Sequence, residues 1–292
     1  MPNSRLRRQN ATTGYALLAP SLFGVVCFLV FPVLVVIWLS FQKWDLISPA
    51  RFVGLDNYAS VFSDPVFANA LLVTLIFALV VLPIQTGLGL FAAALLTRGL
   101  PGSAFFRTVY VLPWICAPLA LGVVWKWIFA PTGGALNALL GVRVEWLTSP
   151  ALALPAVCAV VIWTNVGYVT LFFMAGLVAI PDQIIEAAKL DGAGAAATFW
   201  RVKVPLLRPT MFFVLVTSAI STFQLFDQVY ALTGGGPQRR TDVVAHRIYY
   251  EAFQNFDLGR ASVMAVVLLA ILVIITVAQQ LYFRRRITYD LS

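Results

Sequence analysis

Six long apolar runs constrain this chain more tightly than any other feature. They cover residues 15–41, 68–96, 108–129, 151–178, 210–232 and 261–283. A helix needs roughly 20 apolar residues to cross the hydrocarbon of a bilayer. No water reaches backbone N–H and C=O groups at that depth, so a run of this length must pair them within itself, as a helix does. The expected fold class is therefore all-α, a polytopic membrane protein with six transmembrane helices. Composition agrees: 61% of the residues are hydrophobic and 11% are charged, against roughly 25% charged in a soluble domain. No polar stretch is long enough to form a soluble domain.

The first run exceeds the ~7–15-residue apolar core of a signal peptide and reads as an uncleaved span. Pro20 and Pro32 are placed to kink it or mark its ends. Residues 43–67 are more polar, and the helical spacing of Leu55, Tyr58 and Phe62 predicts a short interfacial helix. Gly87 and Gly89 in the second run are candidates for close helix packing. Lys126, between Trp125 and Trp127 near a span end, is expected to snorkel toward the interface. Residues 131–150 and 233–253 read as loops, and His246 in the second of them as a solvated loop residue. Cys27, Cys116 and Cys158 all lie in hydrophobic runs without metal-ligand spacing, which reads as small core side chains with no disulfide.

The formal charge of +8 is topological information and does not point to nucleic acid, because the basic residues cluster at span ends. Arg5, Arg7, Arg8, Arg98, Arg107, Lys189, Arg201, Lys203, Arg208, Arg284, Arg285 and Arg286 fall on one side. The smaller set of Lys43, Arg51, Arg143, Arg239, Arg240, Arg247 and Arg260 falls on the other. The positive-inside rule places both termini and the segment 180–209 in the cytoplasm. The expected organisation is a tail over 1–14, a six-span domain over 15–286 and a tail over 287–292.

Residues 180–209, IPDQIIEAAKLDGAGAAATFWRVKVPLLRP, form a basic segment rich in small residues between the fourth and fifth runs. Pro181 and Asp182 suit a helix start, and Gly192 after Asp191 suits a C-cap or bend. A second short helix is expected from about Ala195 to Lys203, ended by Pro205. The segment resembles the EAA loop of the membrane subunits of bacterial ABC importers. That pattern is carried by Glu186, Ala187 and Ala188, then Gly192, then Val202, Val204 and Pro205, the two valines being conservative departures at kept spacing. The resemblance extends from about Tyr15 to Arg286. GLDNYASVFSDPVF and FDQVYALTGGGP followed by YEAF look like segments of the sugar-type permeases, the MalF-like and UgpA-like subunits. Val73 before Thr74 departs from the Asn-Thr of many relatives, and the chain lacks the extra spans and large insert of the maltose protein.

The resemblance implies a type I importer permease fold. It implies that Glu186, Ala187, Ala188, Asp191, Gly192 and Pro205 belong to a loop that docks on a cytoplasmic ATPase. Implied partners are a second permease subunit, an ATPase dimer, an extracytoplasmic solute-binding protein or lipoprotein, and the lipid bilayer of the bacterial inner membrane. The expected function is to form half of the translocation path for a carbohydrate or polyol-derived solute: a sugar, amino sugar or glycerophosphodiester.

A solute bearing many hydroxyls needs hydrogen-bonding groups and flat apolar surfaces within the membrane. Polar residues inside a span are costly, which makes them functional candidates. On that ground Asn165, Tyr168, Gln224 and Asp227 are assigned to the path, with Trp163, Ser221 and Phe223 beside them. The competing role is hydrogen bonding between helices, which suits Ser218, Ser221 and Thr222 better. An ion pair between Asp227 and Lys126 is one expected way to offset a carboxylate in the membrane; a place near the outer end of the span or on a docking surface is another.

No GxxxxGK[ST] motif occurs, so ATP and Mg are expected on the separate ATPase and no cofactor in this chain. No constellation of nucleophile and base is present, so the chain is not expected to be an enzyme. An ATP-independent secondary transporter would show ion-coupling carboxylates and an inverted repeat; an accessory membrane subunit would lack the polar clusters. Neither alternative matches the sequence as well.

Overall fold

The computed structural model describes residue 15, residues 17–98 and residues 102–284. The expected tails, the first with Arg5, Arg7 and Arg8, lie outside the described residues, as do Arg285 and Arg286 at the end of the expected six-span domain. The described residues form two compact units. One comprises the described residues up to Ser63 with Ile248–Val267; the other comprises Asp64–Arg247 with the described residues from Leu268 onward.

In the first unit, α1 (Leu17–Leu39) is an almost fully exposed apolar helix. Its turns widen over Val26–Val30, just before Pro32. Proline has no N–H to donate and its ring crowds the preceding turn, so local widening relieves both problems. A two-residue antiparallel hairpin follows, β1 (Gln42–Lys43) and β2 (Arg51–Phe52), pairing Gln42 with Phe52 and Lys43 with Arg51. The expected interfacial helix is α2 (Asp56–Phe62). Leu55 and Phe62 face outward, while Asn57 and fully buried Val61 face inward. Asn57 Nδ2 donates to the carbonyls of Ser40 at 2.9 Å and Gln42 at 2.8 Å, fixing α2 against the end of α1.

The second unit is built on α3 (Pro65–Leu96). Pro65 occupies the first turn, and Asp64 Oδ1 caps it by accepting from the Val66 N–H at 2.8 Å. This helix packs along α7 (Ala153–Val178). Val73, Phe77, Val81, Val157 and Val161 form one apolar cluster; Leu90, Ala93, Val169, Phe173 and Leu207 form another. Of the two glycines singled out in α3, Gly89 meets Val169, whereas Gly87 has nothing within 4 Å.

Two of the six expected spans are not straight helices. The third is a pair, α4 (Ser103–Ile115) and α5 (Pro118–Ile128), bent by 99°. Cys116 and Ala117 are extended there; the ring of Pro118 excludes the residue before it from helical backbone angles. Residues 131–150 include α6 (Ala135–Leu140). After α7, α8 (Asp182–Leu190) leads to α9 (Ala195–Leu206). Contrary to expectation, Pro205 does not end α9. A wide turn over Phe199–Lys203 precedes it and accommodates its missing donor. A 66° bend then leads into α10 (Arg208–Phe223).

The fifth expected span breaks after Phe223 and resumes as α11 (Asp227–Leu232). The stretch read as a loop over 233–253 contains α12 (Val244–Phe253), and the last span is α13 (Leu258–Arg284). His246 is therefore no solvated loop residue. It is buried on α12, with Nδ1 2.7 Å from Asp242 Oδ1 and its ring stacked on Phe226. The Val244 N–H donates to Thr74 Oγ1 at 2.9 Å, tying the start of α12 to α3.

Candidate functional site

The break between α10 and α11 opens one wall of a cavity of about 290 Å3. Gln224, Leu225 and Phe226 carry the chain across the gap, and all three line the cavity. Irregular backbone at membrane depth is tolerated where it borders a cavity or is buried in protein, because its polar groups then have partners within reach. Asp227 also lines the cavity, in the first turn of α11, where exposed N–H groups favour a carboxylate. Among the described residues no ion pair joins Asp227 to Lys126. Lys126 is exposed at the end of α5.

Helix α7 contributes Val161, Asn165 and Tyr168. The spacing of these residues brings them to one helix face, since each residue turns the helix by about 100°. Asn165 Nδ2 donates to its own helix at Val161 O, 2.8 Å away, and its Oδ1 makes no hydrogen bond among the described residues. Tyr168 lies against Trp114 of α4, ring centroids 4.9 Å apart, and against Phe172 at 4.8 Å. Gly167 makes this approach possible: a Cβ there would collide with the Tyr110 carbonyl of α4.

Helix α10 supplies another wall, with Ser218, Ser221 and Thr222. Ser221 donates to Thr217 O at 3.0 Å, within its own helix. Ser218 and Thr222 are buried and line the cavity, and among the described residues neither makes a hydrogen bond to another helix. Trp163 and Phe223 are not among the lining residues. Trp163 precedes Asn165 by two residues, about 200° around the helix, and packs edge-on against Trp125 at 5.2 Å. Phe223 is buried.

Sequence reasoning missed Gln85, Trp114, Phe226 and Gln228, all in the lining. Gln85 carried a usable signal, as a carboxamide in the middle of the apolar run that became α3. Trp114 and Phe226 carried none, since an aromatic ring in a span is unremarkable by type.

The second feature is α8, which has no buried residue. Ile185 packs into the apolar cluster around Leu207, while Glu186, Ala187, Lys189, Asp191 and Gly192 are exposed and Leu190 is 90% exposed. Gly192 has φ +79. Its N–H and that of Ala193 donate back to Lys189 O and Ala188 O, both at 3.0 Å, which closes the helix sharply. Pro205 is half-buried in α9. Among the described residues no group of three or more His, Cys, Asp or Glu could hold a metal.

A chain of membrane-length helices, broken spans around a polar cavity and a small exposed helix between spans defines a membrane transport subunit. Residues 85–289 match the family described as "Binding-protein-dependent transport system inner membrane component". The chain belongs to that family and is an ABC-type permease component of the inner membrane. It is 34% identical over 285 residues to the sn-glycerol-3-phosphate transport system permease protein UgpA of Agrobacterium fabrum, covering 96% of this chain and 97% of that protein. It is 35% identical to the probable ABC transporter permease protein YesP of Bacillus subtilis, covering 94% and 92%. The fold is similar to a chain of a bacterial ABC transporter involved in the import of the acidic polysaccharide alginate, with TM-score 0.84 and 21% identity over 98% of this chain and 100% of that one.

Proposed function

We propose that this permease forms half of the translocation path for a carbohydrate or polyol-derived solute, and that the cavity is where the solute is held. The observation that carries the reading is the combination of Asn165, Gln224, Ser221 and Gln228 with the rings of Trp114, Tyr168 and Phe226 around one volume. Amides and hydroxyls pair with solute hydroxyls, and flat rings cover the apolar faces of a sugar. Asp227 is the charged side chain in the lining, and no described Lys or Arg contributes to it. Within the class, this favours a neutral sugar or an amino sugar over a phosphate-bearing solute.

The second half of the path would come from a second permease, and solute from an extracytoplasmic binding protein or lipoprotein. Helix α8 would dock on an ATPase dimer that binds ATP and Mg, with both termini on the same cytoplasmic side. Glu186 offers a carboxylate for charge-assisted hydrogen bonds. Ala187 and Ala188 allow close approach, and exposed Leu190 supplies an apolar contact. ATP binding would draw the coupling helices together and turn the cavity outward; hydrolysis would reset it.

The test uses the full complex with its binding protein, in proteoliposomes. Uptake of labelled trehalose, maltotriose, N-acetylglucosamine and sn-glycerol 3-phosphate identifies the carried probe. Tyr168→Ala and Asn165→Ala should each lower its uptake about tenfold or more, the scale of one lost stacking or hydrogen-bonding contact. Glu186→Lys should abolish stimulation of ATP hydrolysis by the loaded binding protein. Unchanged uptake in both cavity variants would refute the cavity reading, and unchanged stimulation in Glu186→Lys would refute the coupling reading.

A further inference from the structure

Among the described residues Gln85, Thr86 and Gln279 each hold a buried side-chain oxygen without a hydrogen-bond partner, and of the three Gln85 lines the cavity. It lies in the interior of α3 and is 2% exposed. Its Oε1 is sealed from solvent and accepts no hydrogen bond from the protein. A buried polar atom without a partner is costly, and such groups in native structures are few. Helix α3 could have carried leucine here, as it does at many of its other positions. The neighbours across the cavity do not relieve the carboxamide. Ser218 and Thr222 make no hydrogen bond to it, and Asn165 spends its donor on Val161 O. Gln85 is buried within this chain and lines the cavity, so the cavity is the side from which a partner can meet its amide once the amide turns toward it.

We propose that Gln85 is a solute-contacting residue, the hydrogen-bonding group of the α3 wall, which binds a hydroxyl of the transported carbohydrate. This rests on the reading of the cavity as the solute site. A primary carboxamide suits the role because it presents a donor and an acceptor in one plane, matching a hydroxyl or a pair of adjacent hydroxyls. The last torsion of a glutamine side chain is broad and roughly twofold, so either end of the amide can be turned to the cavity. Gln85 would therefore discriminate for a hydroxyl-bearing solute and against an analogue lacking that hydroxyl, since a site built to pair a hydroxyl is left with an unpaired group when it is missing.

The experiment replaces Gln85 by Met, close in length and shape but without hydrogen-bonding groups, and by Leu as a second variant. Both are studied in the assembled complex, with two readouts: thermal unfolding, and uptake of the probe carried by the wild type. The expected result is unfolding at or above the wild-type temperature, because the replaced group lacked a protein partner, with uptake at subsaturating probe lowered about tenfold. Deoxy analogues of that probe should be separated from it less well by the variants than by the wild type. Wild-type uptake in Gln85→Met and Gln85→Leu overturns the proposal. So does failure of both variants to assemble, or a lowered unfolding temperature in both, either of which assigns Gln85 a structural role. Tyr168→Ala and Asn165→Ala are measured alongside. If they impair uptake and the Gln85 variants do not, this inference fails alone; if none impairs it, the cavity reading fails too.

Discussion

Two glycine substitutions, Gly167→Ala and Gly87→Ala, should have opposite effects, and their magnitudes follow from what surrounds each. A Cβ on Gly167 would stand 2.6 Å from the Tyr110 carbonyl carbon and 3.1 Å from Val111 Cα, with the Tyr110 oxygen nearer still. Carbon atoms pack best at about 3.5–4.0 Å. Helix α4 must therefore withdraw from α7 by about 1 Å, and backbone atoms cannot swing aside as a side-chain tip could. Overpacking of this kind costs about 1–3 kcal/mol. Replacing glycine by alanine in a helix returns up to about 1 kcal/mol. With the full gain the net is a destabilisation of up to about 2 kcal/mol. At Gly87 nothing lies within 4 Å, so only the favourable contribution remains. The Gly167 change should also reach the cavity, since the 4.9 Å contact between Trp114 and Tyr168 depends on the same helix approach. Thermal unfolding of the assembled complex in nanodiscs, with uptake in proteoliposomes, measures both effects. If Gly167→Ala were as stable and active as Gly87→Ala, the argument from close backbone approach would be wrong.

Two further predictions concern the first unit. Asn57→Ala removes two donors from the buried carbonyls of Ser40 and Gln42 and should destabilise by about 2 kcal/mol, read as a lower unfolding temperature, because unpaired buried acceptors keep their desolvation cost. Asp45 accepts from the N–H groups of Ser48 and Ile47, which hold its carboxyl below the ordinary value of 3.8. A depressed folded-state pKa means the turn is favoured above that ordinary value and released as pH falls through the lower one. Amide protection factors at Ile47 and Ser48 should fall on such acidification, and Asp45→Ala should show the same loss at neutral pH.

Much of the architecture was legible because lipid leaves few choices. Residues 68–96, 151–178 and 261–283 had to be helices, and Pro65–Leu96, Ala153–Val178 and Leu258–Arg284 are. The 99° bend was half-legible: Pro118 forbids helical angles at Ala117, but the size of the turn depends on what α4 and α5 pack against. The break after Phe223 had no such mark, since FQLFD contains neither proline nor glycine. His246 misled because a polar, glycine-rich neighbourhood looks solvated until α12 folds it onto Asp242 and Phe226. Gly87 and Gly89 were indistinguishable by type and differ entirely in surroundings.

By itself, then, the sequence determined the class of fold, the number and order of apolar segments, and the small-residue helix Asp182–Leu190 with its stop at Gly192. Those properties follow from local hydrogen bonding and from hydrophobicity, which each segment carries alone. Only the tertiary structure decided which polar side chains share a volume. It placed Gln85, Asn165, Tyr168, Gln224 and Asp227 around one cavity and left Trp163 and Phe223 outside it. That choice depends on the rotation of each helix about its axis and on where a span breaks, and both are set by packing between segments distant in the chain.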